Sequence, residues 1–377
     1  MVTWTWPSKN FSQQDVTGLT LHNSDRTSHN IIIHKPVIMK TLRTRTHLLS
    51  GASLPNLIRM LYLNRCAISP RYIPEILLIL LTPLLFYPVH LLELIFFSRR
   101  IKRTPVLKDP VFIIGHWRSG TTYMHNLICQ DRQFGFPTTY QCFVPGMFLS
   151  GGSIIKAIHK TTLPEKRPMD DVKVDSDLPQ EEEYMITALS TYSYYQCYFF
   201  PRKLVETFKS NAMVNAGISG KWEKLYLFLI KKITFACKGQ QIVLKNPVNT
   251  VRIARLLKLF PSAKFIYMHR NPEEVLKSTY KLFDRFLELY SFQLADKVAL
   301  HENISWVYKS TLMEYHEQKK LIGNHNLAEV DYSRFIREPL IVMEGIYREL
   351  RLEGFEQAKD QFQQYINEQE SFRLEET

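Results

Sequence analysis

At 377 residues, with 45% apolar and 12% aromatic content, the chain is long enough to bury a full core as one large domain or two. The net charge of +12 is uneven: residues 1–110 carry 14 Lys and Arg against 5 Asp and Glu, a balance of +9, leaving only +3 for the remainder. That remainder is not basic enough for a nucleic-acid-binding surface, and the basic front end points first to an anionic membrane face. Cys66, Cys129, Cys142, Cys197 and Cys237 are scattered singly. Without Cys-x-x-Cys or Cys/His clusters they indicate neither a disulfide framework nor a metal site, and fit buried thiols in a reducing compartment.

Residues 1–50 mix Ser, Thr, Asn, His and Arg with little periodicity and read as a poorly ordered arm without a signal-peptide pattern. Residues 51–104 form an apolar and basic helical segment. Within it 76–97 is long and apolar enough for a membrane span, but Pro83, Pro88, His90 and Glu93 argue against a simple one. Arg99, Arg100, Lys102 and Arg103 follow at once, so peripheral contact through 76–103 is preferred over helices packed on the domain or a true span.

From 105 to 377 strands and helices alternate. Val111–Ile114 is an apolar strand, Gly115–Thr122 a tight loop, and Met124, Leu127 and Ile128 share one face of the following helix. Residues 134–150 are aromatic-rich and irregular, and helical spacing runs from about 179 to 200. A helix over Lys221–Ala236, a strand over Ile242–Leu244, a helix capped by Asn249 and ended by Pro261, and a strand over Lys264–Met268 follow. Asn271 then caps a helix with Pro272 at its first position and Glu273 and Glu274 in its first turn. This order predicts an α/β, P-loop-like three-layer fold with a central parallel sheet flanked by helices.

Strand, tight loop and helix is the arrangement that holds a phosphate on a helix N-terminus. Gly115-x4-Gly120 matches the spacing of a triphosphate loop, but Thr121 stands in the lysine position and the charge sits earlier, at Arg118. Gly120 lets the backbone approach an anion, Ser119, Thr121 and Thr122 add hydroxyls, and Arg118 adds a charge-assisted contact. A second anchor is Arg270, at the carboxyl end of a strand, with Ser278 eight residues on; together they suit a second phosphate remote from the first.

These two anchors together resemble the sulfotransferase family, over roughly residues 105–355. Arg118-Ser-Gly-Thr-Thr122 is similar to that family's 5'-phosphosulfate loop, and Arg270 with Ser278 to its Arg-x7-Ser 3'-phosphate motif. Tyr332 matches a tyrosine that packs near the adenine in relatives. Leu244-Lys-Asn-Pro247 and Pro179-Gln-Glu-Glu-Glu-Tyr184 resemble the bacterial and tyrosylprotein-type branch. The steroid and phenol branch usually has Lys where Arg118 stands. The resemblance implies a donor, 3'-phosphoadenosine 5'-phosphosulfate, used without a metal, and a hydroxyl-bearing acceptor that is lipid-like, a glycan or another secondary metabolite. The protein is then expected to be cytoplasmic, peripheral to a membrane, and of undetermined oligomeric state.

In-line sulfuryl transfer needs cations on the bridging and equatorial oxygens, for which Arg118 and Lys245 are the candidates, and a base for the acceptor proton. Among Glu181, Glu182 and Glu183, at a helix start, Glu182 is the first choice. His116, His269 and His125 are histidine candidates, and Asp170 and Asp171 read as structural. Phe136, Tyr140, Phe143, Phe148, Tyr184, Tyr192, Tyr194, Tyr195 and Tyr198 are candidates for acceptor-pocket walls. The alternatives are a P-loop nucleotide kinase or NTPase, disfavoured by Thr121, and a non-catalytic nucleotide-binding protein of the same fold.

Overall fold

A computed structural model describes residues 47–167, 174–213 and 220–375, so the readings placed on residues 1–46 and on Asp170 and Asp171 lie outside it. Its centre is a parallel sheet of five strands: β1 (Val111–Ile114), β2 (Phe134–Gly135), β3 (Gln241–Lys245), β4 (Lys264–His269) and β5 (Leu327–Asp331). Their order is β2-β3-β1-β4-β5. Ile113 lies beside Lys245 on one side and Ile266 on the other.

The central strands are apolar on both faces because both are covered. Side chains alternate along each strand, so Val111 and Ile113 join Val243, Ile266, Met268 and Val330 in one core. Helices Thr121–Ile128, Pro339–Glu349 and Phe355–Glu375 close that side. Phe112 and Ile114 join Leu244, Phe265 and Tyr267 in a second core, under helices Lys221–Ala236 and Ile253–Leu259. Each fully buried Phe or Ile here contributes roughly 1.5–3 kcal/mol of transfer free energy. A third, aromatic core gathers Tyr194, Tyr195, Tyr198, Phe199 and Phe200 with helices Pro272–Tyr290 and Lys297–Gln318 and with the chain from Leu48 to Ile79.

Several boundaries differ from the sequence reading. The 179–200 pattern is a short helix, Glu183–Leu189, then a 3-10 turn, Tyr194–Tyr198. The tyrosine-rich stretch follows aromatic packing, not helix periodicity. Asn249 is not the cap: Asn246 accepts from the Val248 amide and starts a 3-10 turn, Pro247–Val251, and the α-helix begins at Ile253. The 134–150 region contains β2 and a short helix, Thr139–Phe143, opened by a capping box between Thr138 and Gln141. Asn271 caps as expected, accepting from the amides of Glu273 and Glu274.

Four strands end at one edge of the sheet, where open parallel sheets receive ligands. β1 runs into the Gly115–Gly120 loop, β3 ends at Lys245, β4 is followed by Arg270, and β5 by Tyr332.

Before the sheet, helices Ile73–Leu85 and Tyr87–Arg103 form a bent pair. No single helix among the described residues is long and apolar enough to cross a membrane, although Pro70–Leu85 and Tyr87–Arg103 pass that test together, bent by 44°.

Candidate active site

The loop after β1 is held in a shape that only part of its sequence favours. Gly115 and Gly120 adopt φ of 136° and 92°. A Cβ at Gly120 would lie 2.3 Å from the Tyr332 ring, so both the backbone conformation and the space demand glycine. Arg118 also has positive φ, 69°, which a non-glycine residue adopts at a cost of order 1 kcal/mol and which here aims its side chain. Thr250 pins the loop's start, accepting from the Gly115 amide at 2.8 Å and donating to its carbonyl at 3.2 Å. The Ser119 hydroxyl and amide both donate to the His116 carbonyl, at 2.7 and 3.2 Å. Ser119 is buried and shapes the loop from within, whereas Gly120, Thr121 and Thr122 face the cavity.

The two anchors, read from sequence as holders of two separate phosphates, touch one another. Arg118 Nε donates to Ser278 Oγ at 2.9 Å, and Arg270 Nη1 to the Arg118 carbonyl at 3.4 Å. The Arg270 guanidinium sits 4.4 Å from the Tyr332 ring centroid and pairs with Glu274 at 2.8 Å. Two guanidiniums, a hydroxyl and an aromatic face thus converge, and Arg118, Arg270 and Tyr332 line the cavity.

The three consecutive glutamates go to three different places. Glu183, fully buried, forms an ion pair with Arg252 at 2.6 Å and accepts from Ser193 Oγ, the Tyr194 amide and Asn246. Burial would raise its pKa, but Arg252 and these hydrogen bonds outweigh burial and hold the carboxyl below its usual range. Glu182, expected to point inward, is also fully buried and does not line the cavity. Its Oε1 accepts from Tyr226 (2.7 Å), Asn249 (2.7 Å) and Asn246 (3.2 Å). Burial pushes its pKa up. Glu181 is the glutamate that lines the cavity. It pairs with Lys245 and accepts from the Tyr195 hydroxyl, and Lys245 Nζ also lies 3.4 Å from Thr122 Oγ1 on the loop. Trp117 Nε1 donates to the Tyr195 hydroxyl at 3.3 Å. A hydrogen-bonded chain therefore runs from the loop through Tyr195, Glu181 and Lys245 back to the loop.

Trp117, Thr122, Glu181 and Tyr195 line one cavity of about 1020 Å³, whereas Lys245 and Ser278 are not among its lining residues. Arg118, Gly120, Thr121, Thr122, Arg270 and Tyr332 line it on one side, where Tyr365, Glu368 and Gln369 of the C-terminal helix add walls that no sequence motif announced. Elsewhere it is walled by Phe86, Phe143, Val144, Met147, Ile155, Leu178, Leu282 and Phe286. Of the aromatic candidates Phe143, Tyr184, Tyr195 and Tyr198 line it; Phe136, Tyr140, Phe148, Tyr192 and Tyr194 do not.

The histidine candidates stand outside. His116 is buried against the rings of Trp117 and Tyr308, and burial lowers its pKa to about 4. His125 is buried, and burial, then nearby Lys245, lowers its pKa. His269 faces Asp331 at 3.7 Å. His159, which sequence reasoning missed, does line the cavity, bonded to Ser176 Oγ at 3.1 Å. Burial lowers its pKa to about 4. Because His116 is neutral when folded but titrates near 6.5 when unfolded, its contribution is full above pH 6.5 and is lost as pH falls toward 4. We expect unfolding free energy to drop by up to about 3 kcal/mol over that window from this residue alone. Urea denaturation between pH 7.5 and 4.5 should be visibly flatter in His116→Gln; an equal slope rules out this origin.

The family model described as "Sulfotransferase family" matches residues 110–357. The chain belongs to the sulfotransferase family. Among curated relatives, the omega-hydroxy-beta-dihydromenaquinone-9 sulfotransferases Stf3 of Mycobacterium bovis and Mycobacterium tuberculosis are each 27% identical over 281 residues, covering 74% of this chain and 72% of theirs. Among solved structures, sulfotransferase STF9 from Mycobacterium avium superposes with a TM-score of 0.59 at 19% identity, covering 74% of this chain and 72% of its own. Sulfotransferase STF1 from Mycobacterium tuberculosis gives 0.56 at 16% identity, covering 86% and 87%. Both share the P-loop-like fold with this sulfotransferase.

Proposed function

We propose that this sulfotransferase moves a sulfuryl group from 3'-phosphoadenosine 5'-phosphosulfate to the hydroxyl of a lipid-like acceptor. The observation that carries the reading is the position of buried Lys245, held between the Thr122 hydroxyl of the anion-binding loop and the Glu181 carboxylate, both of which line a cavity with many apolar walls. When bound, the donor supplies an activated sulfuryl group and a phosphate leaving group. The loop backbone at Gly120–Thr122, with its glycine forced by Tyr332, fits a phosphate at the start of the Thr121–Ile128 helix. Arg118, Arg270 and Ser278, with Tyr332 beneath, fit the second phosphate and its nucleoside.

Arg118 acts in this reading as a donor-binding residue, since its Nε donates to Ser278 of the second anchor. Lys245 neutralises charge on the bridging oxygen as the old sulfur–oxygen bond breaks and the new one to the acceptor oxygen forms. Glu181 takes the acceptor's proton, and Tyr195 holds its carboxylate in place. Burial, then the adjacent Glu181 charge, keeps the Tyr195 phenol protonated and able to donate. Glu182 and Glu183 support the site by fixing Asn246, Asn249 and Arg252 behind it.

A lipid-like acceptor is supported by the apolar part of the cavity and by the quinone-lipid hydroxyl in the names of the Mycobacterium relatives. The free cysteines agree with a cytoplasmic location. Thermal stability should rise with 3'-phosphoadenosine 5'-phosphate, by about 2.7 kcal/mol at a hundredfold excess over Kd, and not with Mg-ATP. Arg270→Ala should weaken that binding about 10–100-fold. Stabilisation by Mg-ATP alone would return the chain to the kinase or NTPase reading.

A further inference from the structure

The helix pair Ile73–Leu85 and Tyr87–Arg103 is amphipathic in the reverse of the sense water requires. Its mid-helix polar residues face the protein: Glu93 is buried, pairs with Lys232 and accepts from the amides of Leu149 (2.7 Å) and Ser150 (3.1 Å). His90 Nδ1 bonds the Gly146 carbonyl at 2.9 Å. Its outer face carries Leu77, Leu81, Leu84, Leu92, Ile95 and Phe96, between 48% and 63% exposed. A helix on a water-facing surface places these classes the other way round, and a contiguous apolar face of this kind marks an interaction surface. Burying Glu93 and Lys232 together is expensive in desolvation, and the pair tethers the helix with its leucines outward.

Two observations select the occupant. Arg99, Arg100, Lys102 and Arg103, all exposed, close the apolar face with a cationic end that complements anionic lipid headgroups. The helix pair also reaches the reaction cavity, through Thr82 and through Phe86 at its break, and Ile158 of helix Gly152–Thr162, itself 45% exposed and one turn from the exposed Ile154, lines it too.

We propose that this helix pair lies in the interface of an anionic phospholipid bilayer, and that the cavity is entered from that face. The acceptor is then a membrane-resident long-chain alcohol, drawn in past Phe86 and Ile158 so that its hydroxyl reaches Glu181. The route rests on the acceptor reading above; the docking surface does not. Glu93 explains the peripheral geometry, because its ion pair holds the helix against the domain instead of across the bilayer.

The test uses the full chain and vesicles of phosphatidylglycerol and phosphatidylcholine, with hexadecanol embedded or 1-hexanol in solution as acceptor. Wild type should co-sediment with the vesicles, less so at high salt. Leu84→Glu/Ile95→Glu should lose co-sedimentation and sulfate embedded hexadecanol at least roughly tenfold more slowly. Its turnover of 1-hexanol and its stabilisation by 3'-phosphoadenosine 5'-phosphate should match wild type, which separates docking from folding and chemistry. Arg99→Gln/Arg100→Gln/Lys102→Gln should bind neutral vesicles as wild type does and anionic ones less. The proposal is overturned if wild type ignores vesicles, as it would if the face served a protein partner, or if Leu84→Glu/Ile95→Glu binds and sulfates as wild type does. Docking that depends on Leu84 and Ile95, with wild type sulfating neither alcohol, supports the surface and overturns the acceptor reading alone.

Discussion

Glu181→Gln should lower turnover about 10²–10⁴-fold while leaving binding of 3'-phosphoadenosine 5'-phosphate intact. The amide keeps the shape of the carboxylate and can still accept from Tyr195, but it cannot take the acceptor's proton. Glu182→Gln, the sequence's first choice, should behave differently: its carboxylate is enclosed by Tyr226, Asn246 and Asn249 and has no path to an acceptor. Its effect should fall on stability instead of on the chemical step. Lys245→Met should cost about 10²–10³-fold in kcat, and should also leave Glu181 without its cation. Single-turnover assays with labelled donor separate these cases. Full activity in Glu181→Gln, with an accepted alcohol present, sinks the base assignment.

Arg252→Met should destabilise the fold by about 3–5 kcal/mol, because it strands Glu183 as an unpaired buried charge. Both side chains are fully buried, and Arg252 additionally bonds the Asn211 carbonyl at 2.9 Å and lies over the Trp222 ring at 4.8 Å. The pair therefore joins the Glu183–Leu189 helix, the end of helix Leu204–Asn211 and the Lys221–Ala236 helix. Arg252→Met/Glu183→Leu should recover most of the loss, since replacing both partners removes the uncompensated charge. Urea denaturation measures both, and a double variant no more stable than Arg252→Met would show that the ion pair is not the source. Two of the three acidic residues are thus structural, and the third of the triplet holds the platform from which its first reaches the cavity.

How far the sequence could be read follows the range of the forces involved. Local chemistry fixes a strand, a tight loop and a cap, so Val111–Ile114, the Gly115–Gly120 turn, Lys264–His269 and the Asn271 cap are legible from their own residues. The direction of a side chain inside the fold depends on partners far along the chain. Asn249 looked like a cap because its type and place were right, yet its amide is taken by Glu182, 67 residues earlier, and Asn246 caps in its place. Arg118 reads from sequence both as a loop cation and as a charge for the reacting centre, and only the fold, through β4 and its helix, brings Ser278 within 2.9 Å of it.

The same division holds for the basic and apolar front end. Composition predicts apolar helices with a cationic end, and Glu93 and the prolines argue against a plain span. Only packing shows that Glu93 and His90 face inward, to Lys232 and Gly146, so that the leucines face out. By itself, the sequence determined the parallel α/β frame, the anion-binding loop and the second arginine, because periodicity, glycine backbone freedom and strand-end position are local properties. The tertiary structure alone decided which of Glu181, Glu182 and Glu183 meets the cavity. Three adjacent carboxylates are chemically equivalent until Lys245, Tyr226 and Arg252, each brought from at least 44 residues away, divide them.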